Sequence, residues 1–159
     1  MAMRIHTNPP LPRERMREEW FRRVEIPAGN GIGNARSVAK FSALLACGGE
    51  YGGKRLMSRE GARRVLYQQS DGPDLVFVAP VKFALGYALE LAGMSFDGHE
   101  VCFWGGSGGS LTVVDFTSRM TLAYVMNKLE GSPFGDRRND AILKSAYRCL
   151  REMGPTDAT

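Results

Sequence analysis

The run Phe103-Trp104-Gly105-Gly106-Ser107-Gly108-Gly109-Ser110 and the two apolar stretches behind it constrain this chain more than any other feature. Residues without a Cβ permit close approach to the backbone and leave amides free to bind a negatively charged oxygen. Leu111 to Phe116 and Met120 to Asn127 follow, joined by Thr117-Ser118-Arg119, which is short enough for a hairpin. Met120 to Met126 is almost uniformly apolar, which predicts a strand covered on both faces and therefore helices on each side of its sheet. The glycines could instead mark only a tight bend, but four glycines among residues 105–109 exceed what a bend requires, so the edge of a cleft is the favoured reading.

The rest of the chain supplies those helices. Asn34 caps a helix whose apolar positions Val38, Phe41, Leu44 and Leu45 recur at helical spacing, and Gly48-Gly49 stops it. Ser58 caps a second helix with Ala62, Val65 and Leu66 inside and Arg59, Arg63 and Arg64 outside, running out near Ser70-Asp71-Gly72-Pro73. Phe83 to Leu91, around Gly86, and Glu100 to Trp104 are expected strands. The final helix, Arg138 to Met153, puts Ile142, Ala146, Cys149, Leu150 and Met153 on one stripe. At the other end, Trp20, Phe21, Val24 and Ile26 are expected to pack a proline-rich arm onto the body.

These elements predict an α+β fold, an antiparallel sheet of at least three strands flanked by helices, occupying residues 1–159 as a single partial domain. Its parts are an arm and loop at 1–33, a helical segment at 34–70, strands at 83–127 and a helix at 138–153.

Composition narrows the function. A hydrophobic content of 43% supports a real core, and the net charge of +4 is spread among acidic residues rather than clustered with aromatics, so no nucleic-acid partner is expected. Cys47, Cys102 and Cys149 cannot form a closed set of pairs and sit in apolar segments, as buried free thiols would. No signal-peptide core or membrane segment is visible, and the chain as given is expected in the cytoplasm. His6 and His99 lack ligand-spaced partners beyond Asp97 and Glu100, so His99 reads as a solvated loop residue and neither a metal nor a cofactor is expected. Gly29-Asn30-Gly31-Ile32-Gly33 follows no convincing strand and reads as a structural loop, not a phosphate cradle.

Taken in order, Ile26 to Arg36, Leu56-Met57-Ser58, the Phe103 to Ser110 run and Tyr124-Val125-Met126-Asn127-Lys128 resemble the C-terminal portion of the class C β-lactamase-like serine hydrolases, a group that includes esterases and penicillin-binding proteins. The resemblance extends from about Asn8 to the last helix. It implies the β-lactamase/transpeptidase-like fold and acyl-enzyme chemistry, with the nucleophile in Ser-x-x-Lys, a proton-relaying tyrosine in Tyr-x-Asn, and a third motif on an edge strand. Trp104-Gly105-Gly106 stands at that third motif and would line the substrate cleft, where Trp104 in place of a cation favours esters over β-lactams. The Ser107 N–H would complete the oxyanion hole.

The serine, lysine and tyrosine of the family are expected to lie outside this chain. Ser37-Val38-Ala39-Lys40 matches Ser-x-x-Lys formally, but the string is short enough to arise by chance, and Val38 with Phe41 already marks the buried side of its helix. No Tyr-x-Asn follows it, since Tyr67 precedes Gln68-Gln69 and Tyr124 is three residues from Asn127. Two readings stay open. One is a serine-hydrolase fragment, inactive alone, that meets a small ester or amide substrate once completed by an N-terminal segment. The other is a noncatalytic remnant or binding module whose exposed apolar sheet needs a complementing chain or a second copy.

Overall fold

The computed structural model describes residues 13–91, 94, 96, 98–106, 108–130 and 136–154. The expectations for His6 and Ser107, and for the arm before Arg13, lie outside that set.

A 3-10 turn, Arg13–Arg17, leads into helix α1 (Glu19–Arg23). Of the four apolar residues expected to pack this arm, only Phe21 is buried; Trp20 and Val24 stay exposed and Ile26 is half-buried. A side chain closes the following loop instead: Asn30 donates to the carbonyls of Phe21 and Val24 and accepts the Ile26 amide.

Helix α2 (Ala35–Ala46) starts at Asn34 for the reason its residue type suggests. The Ser37 amide donates to Asn34 Oδ1 at 3.0 Å and the Asn34 amide to Ser37 Oγ at 3.2 Å, a reciprocal cap that satisfies two donors a helix start leaves unpaired. A small ladder, β1 (Glu50–Tyr51) with β2 (Lys54–Arg55), then takes up the stretch between the two helices where a loop was expected. Helix α3 (Arg59–Arg63) is capped by Ser58 as expected, but it ends after a further 3-10 turn at Leu66.

Six strands follow in sequence order as an antiparallel meander: β3 (Ser70–Asp74), β4 (Ala79–Phe83), β5 (Ala88–Leu91), β6 (Val101–Gly105), β7 (Leu111–Asp115) and β8 (Met120–Tyr124). Two expectations change here. Ser70-Asp71-Gly72-Pro73, read as the end of a helix, is strand β3. The segment 83–91, read as one strand around Gly86, is a hairpin: Phe83 pairs with Ala88, the Ala84 amide donates to the Tyr87 carbonyl at 2.8 Å, and Gly86 sits in the turn at φ +78°.

Alternation along the strands divides the core in two. Val101, Phe103, Leu111 and Val113 pack with Leu143 and Tyr147 of helix α4 (Arg137–Met153), while Cys102 and Val114 pack with Leu45, Ala46 and Ala62 of α2 and α3. Each valine, leucine or phenylalanine among them contributes about 1.5–3 kcal/mol by leaving water. Helices therefore cover both faces, as the apolar strand β8 demanded. β8 ends the sheet and is half-buried along its length, with Thr121 Oγ1 donating to the Ala39 carbonyl of α2 at 3.1 Å.

The inward stripe of α4 is not the expected one. Asn139, Leu143 and Tyr147 are buried and Leu150 packs beside them, whereas Ile142, Cys149 and Met153 are exposed. The apolar pattern missed the true face because two of its members are polar, and Tyr147 is buried only by virtue of a partner for its hydroxyl. The thiols differ accordingly. Cys102 is fully buried, Cys47 half-buried and Cys149 exposed, and all three are free. No helix among the described residues is long and apolar enough to cross a membrane.

Candidate active site

β6 carries the third-motif residues, and its pairing is lopsided. It meets β7 at every position from Val101↔Asp115 to Gly105↔Leu111, but β5 only at Ala88↔Phe103. Beyond Phe103, among the described residues, the β5-side edge of Trp104 and Gly105 has no strand partner. That is the geometry in which backbone amides stay available to a ligand.

Trp104 is half-buried, with its ring 5.6 Å from Phe77 and 5.4 Å from Phe83, so it packs the sheet edge. After Gly105 the chain turns tightly. The Gly106 amide donates to the Ser110 carbonyl at 3.0 Å and the Gly109 amide to the Gly106 carbonyl at 2.9 Å. Two of the turn's glycines sit tightly against their neighbours. A Cβ on Gly108 would overlap Met126 and Leu129; one on Gly109, which has φ +105°, would overlap Asp136 and Arg138.

Behind that turn stands the start of α4. Asp136 caps the helix by accepting the Arg138 amide at 2.8 Å, and its carboxylate also accepts from the Arg138 guanidinium at 2.5 Å. The guanidinium holds the Asp136 carboxyl down to about 2, and the carboxylate in turn raises the guanidinium's value. Arg138 reaches further, donating to the Lys128 carbonyl at 2.9 Å and the Gly108 carbonyl at 3.5 Å, and its charge lies 5.8 Å from the centre of the Tyr124 ring.

A concavity of about 530 Å³ opens on the neighbouring surface, lined among others by Ile32, Val38, Phe41, Ser110, Thr112 and Tyr124. It touches the glycine turn at Ser110. Trp104, Gly105 and Gly106 do not line it, although Thr112 is the strand partner of Trp104. Ser37 also lines it, but its hydroxyl donates to the Asn34 carbonyl at 2.8 Å within the helix cap, and Lys40 is exposed. Among the described residues no hydrogen bond joins Ser37 to Lys40.

At the opposite end of β6 lies a cluster the sequence did not suggest. Asp115 is fully buried and accepts the Tyr147 hydroxyl at 2.9 Å and the Ser118 amide at 2.8 Å, and His99 Nδ1 lies 2.7 Å from its carboxylate. His99 is thus anchored rather than solvated. Ser118 Oγ is 3.2 Å from the same Nδ1, so serine and aspartate share one ring nitrogen. A hydrolytic triad needs them on opposite nitrogens, and this group is structural. A search by spacing could not have found it, because its members come from a loop, a strand end, a hairpin turn and a distant helix. No group of three metal-binding side chains occurs among the described residues.

An antiparallel sheet with helices on both faces, and a glycine-bearing strand with one open edge, is the α+β architecture of β-lactamase/transpeptidase-like folds. The chain belongs to the β-lactamase family, whose model matches residues 2–147. It is similar to the esterase/β-lactamase LipL of Mycobacterium tuberculosis, 36% identical over an alignment 115 residues long that covers 67% of this chain and 24% of LipL. Among solved structures it resembles a family VIII carboxylesterase, with a TM-score of 0.84 and 31% identity over 91% of this chain and 39% of that one. It also resembles a penicillin-binding protein homologue from Caulobacter crescentus, with a TM-score of 0.75 and 28% identity over 86% of this chain and 39% of the other. The chain therefore spans well under half the length of each of these relatives.

Proposed function

We propose that this chain forms one wall of the acyl pocket of a serine hydrolase, and that the attacking serine, its lysine and the relaying tyrosine come from a segment outside these 159 residues. The observation that carries the reading is the end of β6, where among the described residues Trp104 and Gly105 have no strand partner on the β5 side. Support also comes from relatives named as an esterase/β-lactamase and a carboxylesterase.

In the completed site the serine oxygen attacks the carbonyl carbon of an ester while its proton passes to the lysine and tyrosine. The carbonyl oxygen becomes negative and takes hydrogen bonds from backbone amides, the Ser107 N–H among them. The carbon–oxygen bond to the alcohol then breaks and the alcohol leaves with the proton. Water repeats the attack on the acyl-serine and releases the acid. Trp104, where a cation would otherwise hold a carboxylate, suits esters better than β-lactams.

Hydrolysis of p-nitrophenyl esters, read together with fluorophosphonate labelling, tests this assignment. The chain alone should be inactive and unlabelled; mixed with a family segment carrying Ser-x-x-Lys and Tyr-x-Asn, it should turn over ester and the label should sit on the added serine. Turnover by the chain alone with label on Ser37 would overturn the proposal. Tight assembly with that segment and no turnover would favour the noncatalytic module.

A further inference from the structure

We infer that Arg138 and Asp136 are positioning residues for the oxyanion-binding turn, an assignment that rests on the proposed acyl pocket. Gly106 to Ser110 has no apolar side chain with which to anchor itself, and its glycines would otherwise make it the softest part of the strand end. What holds it comes from behind. The Arg138 guanidinium bridges the Gly108 carbonyl, the Lys128 carbonyl and the Asp136 carboxylate, while the Glu130 amide donates to the Gly108 carbonyl at 3.2 Å.

Several features make this a fixture rather than a passing contact. The Asp136 side chain is only 10% exposed and that of Arg138 26%, so solvent competes weakly for either. Asp136 is itself fixed as the cap of a helix whose inner face is buried in the core. The turn is shaped to receive the pair, since no side chain fits at Gly109 without striking Asp136 and Arg138. A planar guanidinium can serve a carboxylate and two carbonyls at once, and an ammonium cannot match that fork.

An oxyanion hole binds charge that exists only in the transition state, so a misplaced turn lowers kcat and leaves KM nearly unchanged. Arg138→Ala and the milder Arg138→Lys, which keeps the charge and loses the fork, provide the test. In the chain alone, amide hydrogen exchange should quicken at Gly106, Gly109 and Glu130 by about tenfold or more, with the β7 amides as the unchanged reference. In the completed enzyme, kcat should fall by about 10- to 1000-fold with KM within about threefold of the parent, and Arg138→Lys should recover only part of it. Unchanged exchange at the three amides overturns the inference whether or not the completed enzyme is active. Quickened exchange with undiminished kcat overturns it equally. If the completed parent enzyme hydrolyses nothing, the acyl-pocket proposal fails while the exchange result still decides whether the clamp holds the turn.

Discussion

The two ends of β6 are both held by helix α4, in opposite ways. At its start, a fully buried carboxylate gathers a tyrosine hydroxyl, a histidine and a backbone amide, and joins sheet, turn and helix in one hydrogen-bonded knot. At its finish, a largely shielded aspartate–arginine pair braces a run of glycines through the Gly108 carbonyl. The first end carries the residue types of a hydrolytic triad and has the wrong geometry for one. The second, a glycine run that the sequence suggests as a cleft edge, ends β6 in a tight turn. Residue type alone does not separate them; the shared ring nitrogen argues against a triad at the first end, and the glycine turn sets the second apart as the candidate.

The largest test of the contrast is Asp115→Ala. It removes the buried acceptor shared by the Tyr147 hydroxyl, the Ser118 amide and His99, and should cost about 3–5 kcal/mol in urea or thermal unfolding. A loss under about 1 kcal/mol would mean the knot is ornamental. Gly109→Ala comes next: at φ +105° the new methyl is strained and meets Asp136 and Arg138, so about 1–3 kcal/mol should be lost, with altered signals in the turn. Tyr147→Phe keeps the packing and removes one hydrogen bond to a charged group, for about 1.5 kcal/mol in the same denaturation assay.

Asp136→Asn, which keeps a capping oxygen, should have the smallest effect of these, present at neutral pH and fading in acid. The Asp136 carboxyl is held at about 2 against an ordinary value of 3.8, so its pairing stabilises the fold above pH 3.8 and that stabilisation is lost as the pH falls towards 2. An acid titration of stability should lose that part of its downward slope in the variant, and identical acid limbs would show that the pair does nothing for the turn.

Much of the architecture was legible because local signals agreed with it. Asn34 and Ser58 cap the helices they were expected to cap, and the short Thr117-Ser118-Arg119 linker does make the β7–β8 hairpin. β3 was hidden because its proline and glycine are tolerated at a sheet margin: Pro73 lies on the outermost strand, and its partner Pro80 precedes the first β4–β5 pair at Val81. Tyr147 and Asn139 were overlooked on α4 because an apolar stripe cannot count polar residues that are buried. At the candidate site, the glycine run marks the strand end on which the proposal rests. The braces from Asp136 and Arg138 were invisible, since nothing in their spacing relates them to residues about thirty positions earlier.

The unequal exposure of the cysteines has a practical consequence. Burial pushes the Cys102 thiol up to about 12, which keeps it inert to alkylating reagents at neutral pH, and Cys47 is partly shielded, whereas Cys149 faces solvent on the outer side of α4. A maleimide dye should therefore settle first on the helix that braces both strand ends, giving an optical reporter of whatever docks there without engineering a new attachment point.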